Sequence, residues 1–224
     1  MKLSNLVLSV VASLTLGIGI GVSIPLVSQQ SATAVISIPA EPGVQGGGFT
    51  VKVPEKLTHK QAELLAVAYS IAKQDGHRYP QLLQGIILQE SKAGELPSYK
   101  VAGQEYGLAP NQRYYGVAQI KLVAAREVLN KNPQMWKDWD FHTKTDEEVI
   151  AKLIENDRFN LAVASKYLLI LRDAGYTSMQ SLAVAYNKGA GGATGVDPST
   201  NDYALAVFTH IQDIKSKKVA VAKL

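Results

Sequence analysis

The chain contains no cysteine. Disulfides, thiolate metal sites and a cysteine nucleophile are therefore excluded. An oxidising compartment is not excluded, because such a space permits disulfides without requiring them. Four histidines are present, His59, His77, His142 and His210, and they form no HExxH or similar pair. No metal site and no cofactor are expected on that ground. No Gly-x-Ser-x-Gly elbow surrounds Ser91, Ser165 or Ser181, which argues against a serine hydrolase. The stretch Gly189-Ala190-Gly191-Gly192 lacks the Gly-Lys-Ser/Thr ending of a phosphate loop, and no apolar strand precedes it. The formal net charge is only +4. That excess is too small and too dispersed to argue for nucleic acid, although it suits an anionic polymer. Neither an internal repeat nor a series of alternating strands is visible.

What is present suffices for one sizeable core. Of the 224 residues, 46% are hydrophobic, so a single domain with appendages is expected. Lys2 precedes an uncharged run from Leu6 to Val27, broken only by small polar residues and Pro25. Ala32-Thr33-Ala34 then offers a small-x-small pattern suited to signal peptidase. The run exceeds the roughly 7–15 apolar residues of a signal core and approaches the roughly 20 that span a bilayer. Gly17, Gly19, Gly21 and Pro25 weaken a long straight helix. A cleaved signal, a retained membrane anchor at residues 6–27 and a buried helix all stay open, and the first two export the remainder. The expected division is a signal or anchor over 1–34, a linker over 35–57, a helical domain over 58–217 and a basic tail over 218–224 that frays. Pro39, Pro42, Gly43 and Gly46-Gly47-Gly48 punctuate the linker. Within it, the alternation from Phe49 to Val53 permits one short strand.

From Thr58 onward the periodicity is helical. Thr58 with Gln61 forms a capping-box pattern, and Leu64, Leu65, Ala68, Ile71 and Ala72 share one stripe. Asp75-Gly76 ends that helix. Pro80 opens a second, through about Lys92. The stretch from Gly94 to Arg113 reads as loop. Further helices are expected from Ile120 to Asn130, from Thr145 onward with Glu148 in the cap, over 157–174, from Ser178 to Tyr186, and from Asp202 to Lys217. A glycine-rich loop from Lys188 to Gly195 separates the last two. The fold class is mostly α, with room for a small strand element in the loops. Trp136, Trp139 and Phe141 could stack on sugars, but packing under a loop is the better reading.

One residue breaks its local pattern. Leu83, Ile86, Ile87 and Glu90 sit at i, i+3, i+4 and i+7, so they share one helix face. A carboxyl group thus ends an apolar stripe. Burying its charge is costly, and desolvation raises its pKa. A carboxylic acid still protonated near neutral pH can protonate a glycosidic oxygen. A glutamate near a helix end can equally turn outward to water, and position alone favours that reading.

Three blocks shift the balance. Ile87-Leu88-Gln89-Glu90-Ser91 resembles the helix-borne Glu-Ser motif of the soluble lytic transglycosylase family, whose fold is lysozyme-like. Tyr115-Gly116-Val117-Ala118-Gln119-Ile120-Lys121 resembles its Gly-Leu-Met-Gln-Ile block. Ala183-Val184-Ala185-Tyr186-Asn187-Lys188-Gly189-Ala190-Gly191 resembles its Ala-Ala-Tyr-Asn-Ala-Gly-Pro-Gly block. Asn160 to Leu171 is similar to the helix before that third block. The blocks occur in family order, and the likeness covers roughly residues 60 to 215. Val117-Ala118 stands where the family has Leu-Met, and Lys188 and Ala190 replace Ala and Pro.

The resemblance implies roles. Glu90 would be general acid, then general base. Tyr186 would point its hydroxyl toward Glu90 and the reacting sugar. Ser91 would help hold that sugar, and Gln119 would line the groove. Gly116 belongs to the second block, while Asn187 and Gly189 would shape the turn that places Tyr186. The implied substrate is the peptidoglycan glycan strand, cut between N-acetylmuramic acid and N-acetylglucosamine with a 1,6-anhydro product. The implied location is the periplasm or the outer side of the inner membrane. Secretion, conjugation or phage machinery are partners consistent with such an activity. A goose-type lysozyme-like hydrolase and a non-catalytic wall-binding or assembly protein are the rival readings.

Overall fold

The computed structural model describes residues 34–38, 49–53, 57–96, 99–104, 106–216 and 221–223. Eight helices and six short strands lie among them, so the chain is mostly helical. The apolar run from Leu6 to Val27 lies outside the described residues. Among the described residues, no helix is long and apolar enough to cross a membrane.

Phe49–Val53 forms the one short strand that its alternation permits, and two further segments differ from expectation. Ala34–Ile38 (β1) and Phe49–Val53 (β2) pair antiparallel, and Val221–Lys223 (β6) joins the other edge of β2. The region read as linker therefore contains two strands, and the tail expected to fray contributes a third. The physical reason lies in the β-branched alternation of these segments, which competes with the proline and glycine punctuation between them.

The helices begin where their caps predict. α1 (His59–Gln74) opens on Thr58, whose hydroxyl accepts from the Gln61 amide while the Gln61 side chain accepts from the Thr58 N–H. Asp75 closes it, and Gly76 turns with φ 77°. α2 (Gln81–Ser91) follows Pro80 and ends where Lys92 turns left-handed. α3 (Leu122–Lys131) starts slightly later than expected, because Ile120-Lys121 is spent on a strand. The single turn α4 (Met135–Asp138) was not anticipated. α5 (Asp146–Glu155) is capped by Thr145, and α6 (Asp157–Asp173) by Asn156. α7 (Met179–Ala193) runs through the segment read as a glycine-rich loop. It kinks at Gly189, where φ is 74°, and resumes for one further turn. α8 (Asp202–Ser216) completes the helical set.

The core forms where the apolar stripes meet. α1 packs on α2 and α6, α2 on α8, and α7 on α6 and α8. Leu65, Leu83, Ile86, Ile87, Leu161, Leu168 and Ile211 are all fully buried there. Gly85 sets the α2–α8 spacing. A Cβ on it would lie 2.8 Å from both Ile211 Cγ1 and the Val207 carbonyl oxygen. Only a residue without a side chain lets the two helices cross this closely.

Trp136, Trp139 and Phe141 pack against the core and on one another. Trp136 meets Phe141 edge-on at 4.8 Å, and Trp139 and Phe141 each meet buried Phe159 at 5.4 Å. The packing role is the one observed.

Candidate active site

Glu90 lies in the last turn of α2, at the end of the stripe Leu83–Ile86–Ile87. Its carboxyl is half-buried between α2 and the start of α8. There Tyr203 donates a hydrogen bond to Glu90 Oε1 at 2.5 Å. Burial pushes the Glu90 pKa up to about 7, and the bond from Tyr203 pulls against that rise. Among the described residues, neither a second carboxylate nor a cation contributes to the shift. Near neutral pH the group is thus poised to give or take a proton. With Oε1 occupied by the tyrosine hydroxyl, Oε2 is the oxygen left to carry the proton.

Tyr203 was not singled out in the sequence. Its signal mirrors that of Glu90: it begins the stripe Tyr203–Val207–Ile211 with a polar tip, as Glu90 ends its own. Burial and the neighbouring Glu90 raise its pKa well above the ordinary tyrosine value, so it stays a proton-bearing donor.

Tyr186 takes a different partner from the one expected. Its hydroxyl donates to the Ala118 carbonyl at 2.7 Å rather than to Glu90. The ring is buried, and meets Tyr167 edge-on at 5.9 Å. Glu90 is still near enough for its charge to help hold the Tyr186 pKa high, after the larger effect of burial. Tyr186 therefore sits at the junction of three things: Glu90, the Ala118 loop and an open groove.

Ala118 lies in a turn of a small antiparallel sheet. Val101–Ala102 (β3), Tyr114–Tyr115 (β4) and Ile120–Lys121 (β5) pair in that order, and the turn from Gly116 to Gln119 joins the last two. Asn160, fully buried on α6, staples this turn. Its Oδ1 accepts from the Ala118 N–H at 2.8 Å, and its Nδ2 donates to the Tyr115 carbonyl at 2.8 Å. Gly116 is required by the same contact. A Cβ there would lie 2.2 Å from Asn160 Nδ2 and 2.3 Å from the Leu153 carbonyl. Gly116 thus shapes the turn and leaves no side chain for a ligand.

Ser91 is not placed to hold a sugar. It is fully buried. Its hydroxyl donates to the Val117 carbonyl at 2.7 Å and accepts from the Gly94 N–H at 3.0 Å. Its partners tie the end of α2, where Glu90 stands, to the hairpin turn. The expectation failed because the resemblance carries residue identity and not side-chain direction.

Gln119 occupies a left-handed conformation, φ 51°, uncommon for a residue with a side chain. Its own amide holds it there, donating to the Tyr99 carbonyl at 2.6 Å and the Gly116 carbonyl at 2.8 Å. Gln119 also lines a groove of about 240 Å³ together with Tyr114, Lys121, Tyr167, Tyr186, Asn187, Lys188 and Gly189. Asn187 and Lys188 are exposed on its rim, where the kink at Gly189 turns the chain. Four of the expected site residues, Gln119, Tyr186, Asn187 and Gly189, are thus brought together on one surface. Glu90 does not line the groove itself; Tyr186 separates the two.

Glu95 is exposed and accepts from the Thr58 hydroxyl at 2.6 Å, where it serves the α1 cap. Glu105 lies outside the described residues. Among the described residues, no three His, Cys, Asp or Glu side chains gather into a metal-binding cluster. No protein-family model, curated protein or solved structure matches this chain.

Proposed function

We propose that the chain is a peptidoglycan lytic transglycosylase with a lysozyme-like fold. The observation that carries this reading is Glu90: a half-buried carboxyl with its pKa near 7, hydrogen-bonded by Tyr203 and set beside a groove rich in tyrosine and amide groups. An ordinary glycosidase needs two carboxyls, spaced about 5–5.5 Å for retention or about 6.5–9.5 Å for inversion. Among the described residues, Glu90 is the carboxyl whose pKa is raised, and no second carboxyl contributes to that rise. A one-carboxyl mechanism is consistent with that, and it requires the scissile bond of a bound strand to reach past Tyr186 to Glu90.

In that mechanism Glu90 gives its proton to the glycosidic oxygen between N-acetylmuramic acid and N-acetylglucosamine. The C1–O bond breaks and positive charge develops at C1. The substrate's own acetamido group stabilises that charge. Glu90, now a carboxylate held by Tyr203, takes the proton of the sugar's 6-hydroxyl. The C1–O6 bond closes the anhydro ring, and the glutamate returns to its protonated form without water being consumed. Tyr186 acts here by positioning, since its bond to Ala118 locks the hairpin turn against α7. The proposed substrate lies outside the cytoplasm, and export by the apolar run at residues 6–27 would deliver the domain to it.

The test is release of soluble fragments from purified sacculi. Glu90→Gln is expected to keep the fold and stop release. Release at the parent rate by a folded Glu90→Gln variant would move the acid elsewhere and end the assignment.

A further inference from the structure

The groove beside Tyr186 carries an uneven charge. Its lining holds two cations, Lys121 and Lys188, and no carboxylate. Lys121 ends β5, and Lys188 sits just before the Gly189 kink of α7. Both are exposed. Lys121 Nζ stands 4.8 Å from the Tyr114 ring centroid, so it is held over the groove wall. Among the described residues, neither lysine is paired with an acidic side chain.

A neighbouring hollow shows the contrast. It shares Tyr167 with the groove and contains Lys131, Glu127 and Asp173. There Lys131 is neutralised by Glu127 at 3.0 Å. Of these two hollows, it is the one on the Tyr186 side of Tyr167 whose lysines lack an acidic partner among the described residues. A cleft lined by one sign of charge attracts the opposite sign more strongly than isolated surface charges do.

The remaining lining suits a sugar. Tyr114 and Tyr167 offer ring surface, and Gln119 and Asn187 offer amides. Aromatic surface with a few placed polar groups is the usual make-up of a ligand site. We propose that this groove selects glycans bearing carboxylates, with Lys121 and Lys188 contacting the acidic substituent of the bound sugar. The inference rests on the glycan-cleaving reading above and adds its specificity. Two sources share this chemistry in peptidoglycan, the lactyl carboxylate of a stem-free muramic acid and the carboxylates of an attached peptide stem.

Binding of three strand preparations to the full chain carrying Glu90→Gln separates the outcomes, because bound strands then stay intact. The first preparation keeps its peptide stems. The second is stripped by an amidase and bears lactyl carboxylates alone. The third is the second with those carboxylates converted to methylamides, so it is uncharged. The expected result is tighter binding of a charged preparation than of the methylamide, with the tighter of the first two identifying the carboxylate source. Lys121→Met with Lys188→Met should lower affinity for that charged preparation roughly tenfold, as two partly exposed ion pairs would. Affinity for the methylamide should stay unchanged, and Lys188→Glu should reverse the preference. Equal affinity for charged and uncharged strands, or no effect of the lysine variants, overturns the inference while leaving the glycan reading intact. Failure of all three preparations to bind overturns both.

Discussion

The hydroxyl of Tyr203 donates to Glu90 Oε1 at 2.5 Å, joining the first turn of α8 to the last turn of α2. The bond stabilises the carboxylate form, whereas burial opposes it. Tyr203→Phe removes the stabilising half of that balance. The Glu90 pKa is then expected to rise further, and the alkaline limb of the pH–rate profile, where the acid loses its proton, moves to higher pH. Turnover at neutral pH should fall by about tenfold or more, in the range of acid–base contributions. A profile unmoved by the substitution would show that the tyrosine does not act through Glu90.

The raised pKa also predicts a stability signature that needs no substrate. The folded-state value is about 7, against 4.5 for an ordinary glutamate. The folded state therefore binds this proton more tightly than the unfolded state does. Glu90 does no harm below pH 4.5, and stability is lost as pH rises through 7. Glu90→Gln, always neutral, should be more stable than the parent at pH 8 by about 3 kcal/mol and equal to it near pH 4. Thermal unfolding of both proteins across that range measures the difference. A constant difference at all pH values would mean that Glu90 titrates normally.

Ser91 is expected to act on stability and not on substrate binding. Ser91→Ala leaves the Val117 carbonyl and the Gly94 N–H without their buried partner. The cost is about 1–3 kcal/mol. KM should stay close to that of the parent, as urea unfolding and kinetics together would show. A large rise in KM with unchanged stability would restore the sugar-holding role.

Gly85 tests whether helix spacing sets the site. A methyl group there meets Ile211 and the Val207 carbonyl, each at 2.8 Å. Gly85→Ala should destabilise the fold by about 1–3 kcal/mol through overpacking. It should also lower turnover, because α8 carries Tyr203. Stability reduced with turnover intact would mean that α8 tolerates displacement.

Local signals in the sequence were reliable where the partner is local. The Thr58–Gln61 box spans one turn, and the stripe that ends in Glu90 spans two. Both are written in the spacing of neighbouring residues. The alternation from Phe49 to Val53 marked β2, whereas β1 was obscured by the proline and glycine that follow it, although Val35 and Ile36 favour extended backbone. The glycines after Tyr186 read as loop, yet within α7 only Gly189 departs from helical geometry, and the helix runs on to Ala193. The site's hydrogen bonds were not legible at all. Ser91 reaches Val117, Tyr186 reaches Ala118 and Tyr203 reaches Glu90, the last across 113 positions of chain. Such bonds depend on how helices cross, which residue order alone does not state.

Mass spectrometry of the muropeptides that the full chain releases from purified sacculi decides whether Glu90 cuts glycan strands without water. Products ending in 1,6-anhydro-N-acetylmuramic acid are expected, and are absent when Glu90→Gln replaces the parent. Reducing-end products heavier by one water would contradict that expectation in favour of a lysozyme-type hydrolase. No release from folded protein would contradict it in favour of a wall-binding or assembly role.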